Sequence, residues 1–425
     1  MEKKVWSVLL ILVLSLTFWD RSLAGNWWQN KKPSTSSSGK NGGGSSLVFP
    51  VEGNVYPRGL YHVTFKIGNP PKPYYLEFDT GSDLTWLQCD APCQHCDKAP
   101  HPLYKPNIND IVLCKEQICA SLDSKVRNNP TDQCHYSITY ADQSSSHGVL
   151  VRGFFSLTFT DGSVHTPRLA FGCDYDQQSP SMGSVRPTDG ILGLSNGGVS
   201  IISQLKIQGL TKNVIGHCLS GLGGGPGGYL FFGDDLVPSS GVVWTPLSTT
   251  SLNKHYSPGS SAELSYKGKP SSVTGLQTAF DSGSSYTYFT SMAYETLISA
   301  VKKDLVGKPL KEAPEDNTLP LCWKGGKPFI FIDEAKPYFS SVVLSFGGGR
   351  NKAQFEIPPE SYLIISKAGS VCLGILNGTE AGLDLLNVIG DTSMLNKLVI
   401  YDNEKKQIGW IPANCDTLPY SGTIH

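Results

Sequence analysis

The sequence predicts a mainly β protein built from two similar halves, and three observations carry that prediction. The 425 residues include 45 Gly and 28 Pro but only 17% charged residues, a composition of many turns and few long helices. Short runs rich in Val, Ile, Phe, Tyr and Thr alternate with turn clusters from Val48 onward, while helical periodicity is rare. The chain also repeats itself. The stretch YYLEFDTGSDLTW, from Tyr74 to Trp86, returns as TAFDSGSS, from Thr278 to Ser285, and each copy sets an Asp after Phe, then a small hydroxyl residue, a Gly and a Ser. Downstream, Asp189-Gly190-Ile191-Leu192-Gly193-Leu194 and Val388-Ile389-Gly390-Asp391 follow at closely similar distances, as an internal duplication requires.

Residues 1–24 have a basic start (Lys3, Lys4), an apolar run from Val5 to Trp19, and small residues at Ser22 and Ala24, the layout of a secretory signal peptide cut after Ala24. A retained anchor is the competing reading. The run is shorter than the ~20 residues that span a bilayer, and Asp20 and Arg21 end it. Residues 25–47 are mostly Lys, Ser, Gly and Asn, too poor in apolar side chains to fold alone, and read as a short pro-segment or linker.

In the first half, 48–245, Tyr61–Ile67 and Tyr74–Phe78 read as strands joined by GNPPKP. Val149–Thr160 and Val164–Phe171 read as further strands about the turn Asp161-Gly162, and Ser200–Gly209 as a helix. Tyr229–Gly233 follows GGGPGG; a phosphate-cradling loop is the rival reading of those glycines, but no Gly-Lys-Ser/Thr follows. The Pro and hydroxyl cluster at Thr245 to Thr250 marks the boundary. In the second half, 246–415, Ser291–Leu305 reads as a helix with Ser291 as its N-cap, and 416–425 is a tail. A net charge of −1 with scattered lysines gives no support for a nucleic-acid partner, and no segment beyond the leader is apolar enough to span a membrane.

One Asp-Thr-Gly is as readily a surface turn as a site. Two change the reading. Gly81 and Gly283 let the backbone turn tightly, and the hydroxyls of Thr80, Ser82, Ser282 and Ser284 can hold a carboxylate by hydrogen bonds. Brought face to face, Asp79 and Asp281 would share one proton, one acting as acid and the other as base. Such a pair activates water and calls for no cofactor and no metal. A rival nucleophile is Ser195 in Gly193-Leu194-Ser195-Asn196-Gly197, which fits a nucleophile elbow, but that class needs strand–helix alternation that is lacking here.

The pairing of DTGS with DSGS, each followed at this distance by two apolar residues and a Gly, resembles the pepsin-type aspartic proteases. The insert LQCDAPCQHC with PHPLYKP is similar to the plant nepenthesin and nucellin-like subgroup, and the likeness covers Val48 to Cys415. It implies a bilobal pepsin-like acid protease fold, two pseudo-symmetric β lobes with a catalytic cleft between them. It further implies peptide hydrolysis in acid by the Asp79/Asp281 dyad, cross-bracing by Thr80 and Ser282, and orientation of the outer carboxylate oxygens by Ser82 and Ser284. The segment HYSITYADQSSSHGVL resembles the flap of the family, around 136–149, with Tyr140 as its tyrosine, Trp86 as the indole bonded to it, and Ala141-Asp142 in place of pepsin's Gly-Thr. The expected partners are a peptide or protein substrate in the cleft and pepstatin-like inhibitors, and the expected chain is a monomer in the secretory pathway, extracellular (apoplast or cell wall) or vacuolar. Some plant relatives keep the fold as inhibitors or wall-binding proteins, a non-enzymatic alternative against which both intact motifs argue.

Eleven cysteines behind a leader point to disulfides. A metal site at Cys89, Cys93 and Cys96, with His95 and His101 nearby, is the alternative by residue type, disfavoured by secretion. The subgroup's layout implies Cys89–Cys93, Cys96–Cys173, Cys114–Cys134, Cys218–Cys415 and Cys322–Cys372 within an insert at 89–134, leaving Cys119 as the free thiol. Asn377-Gly378-Thr379 is an acceptor pattern for N-glycosylation.

Overall fold

Alternation decides the first strands. In Leu60–Ile67 and Lys72–Asp79, Val63, Phe65, Leu76 and Phe78 are buried. The strands pair antiparallel with His62 opposite Glu77, and the intervening residues line the opposite face. This computed structural model describes residues 46–93, 95–122, 129–178, 187–221, 227–249, 255–348 and 352–419. The signal-peptide and most of the pro-segment readings, and part of GGGPGG, lie outside them. Ser46 and Leu47, counted above with the pro-segment, belong to the folded body: Leu47 is fully buried and pairs with Phe232.

A 14-stranded sheet runs through the described residues. At one end, the strands Val243–Pro246, Gln407–Pro412, Lys397–Asp402, Val214–Leu219, Gly228–Phe232 and Leu47–Asn54 lie side by side, so segments from both halves share one sheet. The predicted boundary at 245/246 falls inside Val243–Pro246, which pairs with Gln407–Pro412 near the chain's end. The sheet continues through Leu60–Ile67, Lys72–Asp79, Gly190–Gly193, Trp86–Gln88 and Arg168–Gln178 to the long strand Ser145–Thr158 and the edge strand His135–Thr139. The run predicted at Val164–Phe171 is broken by Pro167 into the short strand Val164–His165 and Arg168–Gln178.

The duplication is visible in the pairing. Lys72–Asp79 lies parallel to Gly190–Gly193, with Asp79 opposite Gly193, and Trp86–Gln88 flanks the latter antiparallel. In the second half, Thr278–Phe280 lies parallel to Asn387–Ile389, and Thr287–Phe289 flanks that strand antiparallel through Tyr288 and Val388. Two more four-stranded sheets complete the second half. The fold is therefore mainly β and bilobal.

Two helices pack against these sheets. Ile201–Ile207 begins at Ser200, whose hydroxyl accepts from the Ser203 amide. Ser291–Leu305 buries Ala293, Leu297, Val301 and Leu305, one face at three- and four-residue spacing. Its N-cap is Thr290, not Ser291 as the sequence suggested. The Thr290 amide is held by Asn387 Oδ1 at 3.0 Å, and the Ser291 hydroxyl is spent on Asn377 Oδ1 at 3.0 Å.

The disulfides differ from the expected set in the first half. Cys89 bonds Cys173, not Cys93, because it follows Trp86–Gln88 directly and stays in the sheet beside Arg168–Gln178, with Cα atoms 5.3 Å apart. Cys96 bonds Cys93 and not Cys173, closing a local loop outside the sheet. The short helix Gln117–Ala120 carries Cys119 to the buried Cys134, Cα–Cα 5.8 Å, so Cys134 pairs with Cys119 rather than Cys114. The free thiol is Cys114, half-buried, with its sulfur donating to the Gln133 carbonyl; it is not Cys119. Cys218 bonds Cys415 and Cys322 bonds Cys372. Alkylation of the unreduced protein should therefore label Cys114, and mass mapping that finds the label on Cys119 would reverse this assignment.

Candidate active site

Each Asp ends a strand and begins a turn, so its carboxyl is presented where two parallel strands stop. Asp79 is 6% exposed and Asp281 is half-buried. The amide of Gly81 donates to Asp79 Oδ1 at 2.7 Å and the Ser82 hydroxyl to Asp79 Oδ2. The same pair of bonds recurs at Asp281, from the Gly283 amide at 2.9 Å and the Ser284 hydroxyl at 2.8 Å. Both carboxyls are thus fixed before any ligand arrives.

The loops are locked to each other. The Thr80 amide donates to Ser282 Oγ at 3.1 Å and the Ser282 amide to Thr80 Oγ1 at 3.0 Å. Each hydroxyl then donates across to the other strand, Thr80 to the Phe280 carbonyl at 3.2 Å and Ser282 to the Phe78 carbonyl at 2.9 Å. Thr80 is fully buried and Ser282 nearly so, where such bonds meet no competition from water. The four bonds bring the two carboxyls within hydrogen-bonding reach of each other.

The glycines are required by close approach. A Cβ at Gly81 would lie 2.6 Å from Asp281 Oδ1, and one at Gly283 would lie 2.6 Å from Asp79 Oδ1. A methyl group there pushes directly on the opposite carboxylate. Gly283→Ala should cut turnover about 100-fold, the scale of a roughly 1 Å misplacement of reacting groups, with little change in thermal stability; wild-type turnover would contradict the tight spacing of the pair.

Burial first, and then the charge of Asp281, pushes the Asp79 carboxyl well above the usual carboxylate range. Asp391, which opens the short helix Asp391–Met394 after Asn387–Ile389, is 1% exposed and is raised likewise by burial and by Asp281, with Oδ1 unpartnered. Sequence alone assigns Asp391 no role, although one signal points to it: the matching position in the first half, after Gly193, is the apolar Leu194.

The strand His135–Thr139 and the start of Ser145–Thr158 pair antiparallel as a hairpin. Tyr140 lies in its turn, and its hydroxyl accepts from Trp86 Nε1 at 2.7 Å. Burial, then the Asp79 charge, keeps that phenol protonated at all relevant pH. Asp142 is occupied at the hairpin tip, where Oδ1 accepts the Ser144 amide at 2.9 Å and the Ser144 hydroxyl at 2.6 Å. Tyr288 is half-buried, and burial first, then the charges of Asp281 and Asp142, raises its phenol above the usual range. It occupies the place in the second half that Trp86 holds in the first, seven residues after the Asp in each repeat. Glu77, two residues before Asp79, shares its face of the strand and is half-buried. Ser195, the rival nucleophile, is 2% exposed, and its amide donates to the Ser82 carbonyl, so its turn supports the Asp79 loop.

Asn377 ends the strand Ile375–Asn377; its Nδ2 donates to Glu380 at 2.9 Å and its Oδ1 accepts from the Thr379 amide at 3.2 Å. Among the described residues, the clusters with metal-ligand atoms near one another are Cys93, Cys96 and Asp174, and Asp316, Cys322 and Cys372, and in both the cysteines are tied in disulfides. No helix of the described residues is long and apolar enough to cross a membrane.

Comparisons with known proteins agree with this geometry. Residues 61–234 match a family model described as xylanase inhibitor N-terminal and residues 261–412 one described as xylanase inhibitor C-terminal. An aspartic proteinase of Oryza sativa subsp. japonica is 47% identical over 388 residues, 89% of this chain and 93% of that protein. Among solved structures, basic 7S globulin from soybean superposes with a TM-score of 0.67 at 18% identity, over 89% of this chain and 100% of that one. An aspartic proteinase from Irpex lacteus gives 0.62 at 18%, over 88% and 100%. The chain belongs to the plant branch of the pepsin-type aspartic protease family.

Proposed function

We propose that this protein is an aspartic endopeptidase that hydrolyses peptide bonds in acid, with Asp79 and Asp281 as its catalytic pair. The single observation that supports this most is the reciprocal bracing of the two loops, which sets two carboxyls in mutual reach with every outer contact already made. Asp79, the deeper of the two, holds the shared proton, and ionised Asp281 takes a proton from the attacking water. As water adds to the scissile carbonyl, the Asp79 proton moves to the carbonyl oxygen. As the resulting diol collapses, Asp281 passes its proton to the departing amine nitrogen and a diol hydroxyl gives its proton to Asp79, so the C–N bond breaks, the acid product forms and one proton remains on the pair as at the start. Tyr140 and Trp86 form the polar cover over this centre, and Tyr288 its opposite wall.

The substrate is an extended peptide or protein segment, and pepstatin-like inhibitors would occupy the same cleft. Export through the secretory pathway, to an extracellular or vacuolar site, accords with the five disulfides of the described residues. A glycan on Asn377 belongs to the same proposal and requires its bond to Glu380 to open; endoglycosidase treatment of the secreted protein should lower its mass.

A second reading, a binding protein without turnover, is favoured by the inhibitor description of the family models and by the soybean globulin's fold. One experiment separates the two. Secreted protein is incubated with a diverse peptide mixture between about pH 3 and 7, with and without pepstatin. Acid-range cleavage abolished by pepstatin supports the peptidase; a folded protein that cleaves nothing supports the binding role.

A further inference from the structure

Ile330 and Phe331 are adjacent in sequence and 71% and 67% exposed, although each could bury a large apolar side chain. Their backbone is not loose. Glu334, in the short helix Ile332–Ala335, accepts the Ile330 amide at 2.7 Å and the Phe331 amide at 3.3 Å. Phe329 beside them packs its ring on Tyr338, with centroids 6.5 Å apart, and donates its amide to the Gly369 carbonyl at 2.9 Å. An apolar tip already held in one shape loses little freedom on binding.

Contacts lead from this tip back to the catalytic loops. Pro328 packs on the backbone of Gly369. In the same turn, the Lys367 amide donates to the Tyr56 hydroxyl at 3.3 Å. Three residues beyond Tyr56, the Gly59 carbonyl accepts the hydroxyl of Ser285, the neighbour of the serine that holds Asp281. Arg58, Lys327 and Lys367 are exposed along this path and belong to none of the ion pairs among the described residues, whereas Lys324 and Lys336 are paired with Glu315 and Asp333. Three unpaired cations thus lie along the contacts that lead from the Ser285 loop to the apolar tip, where the Glu334 carboxylate is turned onto the Ile330 and Phe331 amides and Asp333 is paired with Lys336.

We propose that Ile330 and Phe331, with Lys327, Lys367 and Arg58, form an exosite for a protein substrate, binding a segment outside the scissile region that carries an apolar side chain flanked by acidic groups. This rests on the peptidase reading of Asp79 and Asp281. Phe and Ile side chains serve as anchors when they enter a partner's pocket, and surrounding cations raise the encounter rate with an acidic partner. The charge contribution grows from about pH 4 to 6 as substrate carboxylates ionise, and salt weakens it.

The test compares a six-residue apolar peptide with reduced, alkylated α-lactalbumin, an acidic unfolded protein. In the Ile330→Ser, Phe331→Asp double variant, kcat/KM on the protein should fall about tenfold through KM, while the peptide rate stays within about twofold of wild type. Lys327→Glu with Lys367→Glu should lower the protein rate by about threefold at low salt and remove its salt dependence. Equal rates on the protein for wild type and the Ile330/Phe331 variant overturn the exosite alone. So does a wild-type dimer that this variant dissociates, since the patch then serves a second copy. A wild-type protein that cleaves neither substrate overturns the peptidase reading and the exosite with it.

Discussion

Asp79→Asn should be secreted and folded yet lose about 10⁴-fold in kcat on any peptide that the wild type cleaves, the upper end of what a positioned acid and base contribute. Asn keeps the shape, and its amide oxygen can still accept from the Gly81 amide while its NH2 donates to the Ser82 hydroxyl, but it cannot give a proton to the carbonyl or take one back. Asp281→Asn should lose as much, because it removes the base, and the double variant should be little worse than either single one, since the two groups act as a unit. A structural defect is separable from this. Asp79 is held protonated by burial, so near neutral pH its replacement with a neutral isostere should leave thermal stability equal or higher. Variants that are stable and inactive establish the dyad. A single variant with activity within tenfold of wild type would end the assignment.

Much of this centre was legible because the repeat encodes it locally. Phe-Asp followed by a hydroxyl, Gly and Ser specifies a strand end, a tight turn and two hydrogen bonds to one carboxylate, all within five residues. The strands Leu60–Ile67 and Lys72–Asp79 were legible for the same reason, through alternation. What failed was what depends on neighbours far along the chain. Cys89 pairs with Cys173 because the strand before it lies parallel to Arg168–Gln178, and no spacing rule reports which strands are adjacent. Many strands in the second half, such as Thr278–Phe280 and Asn387–Ile389, are three residues long, too short for a period to register. Asp391 went unassigned because an acidic residue after Gly reads as a turn, and only its full burial beside Asp281 reveals a group that must be kept neutral.

That burial, set against a second titrating group, makes the stability of the protein depend on pH from both sides. His217, in the strand Val214–Leu219, is fully buried beside Phe78, with Nε2 3.1 Å from the Tyr401 hydroxyl and Nδ1 unpartnered. Burial lowers its pKa from 6.5 to about 3. Its folded value is depressed, so its contribution is present above about pH 6.5 and is lost as pH falls toward 3, amounting to about 3 kcal/mol by pH 4 at 1.36 kcal/mol per pH unit. Asp391 works in the opposite sense. Its folded value is raised, so the stability that goes with its protonated form is complete below about pH 4, the unfolded value, and is lost as pH rises through the folded one. Tm measured from about pH 3 to 8 should therefore pass through a maximum in the weakly acidic range. His217→Gln should flatten the acid limb, whatever it costs in packing, and Asp391→Asn should flatten the alkaline limb without touching the other. If His217→Gln left the acid slope unchanged, the histidine would have to be charged or hydrated in the native state, and the dry packing of its ring between Phe78 and Tyr401 would be wrong.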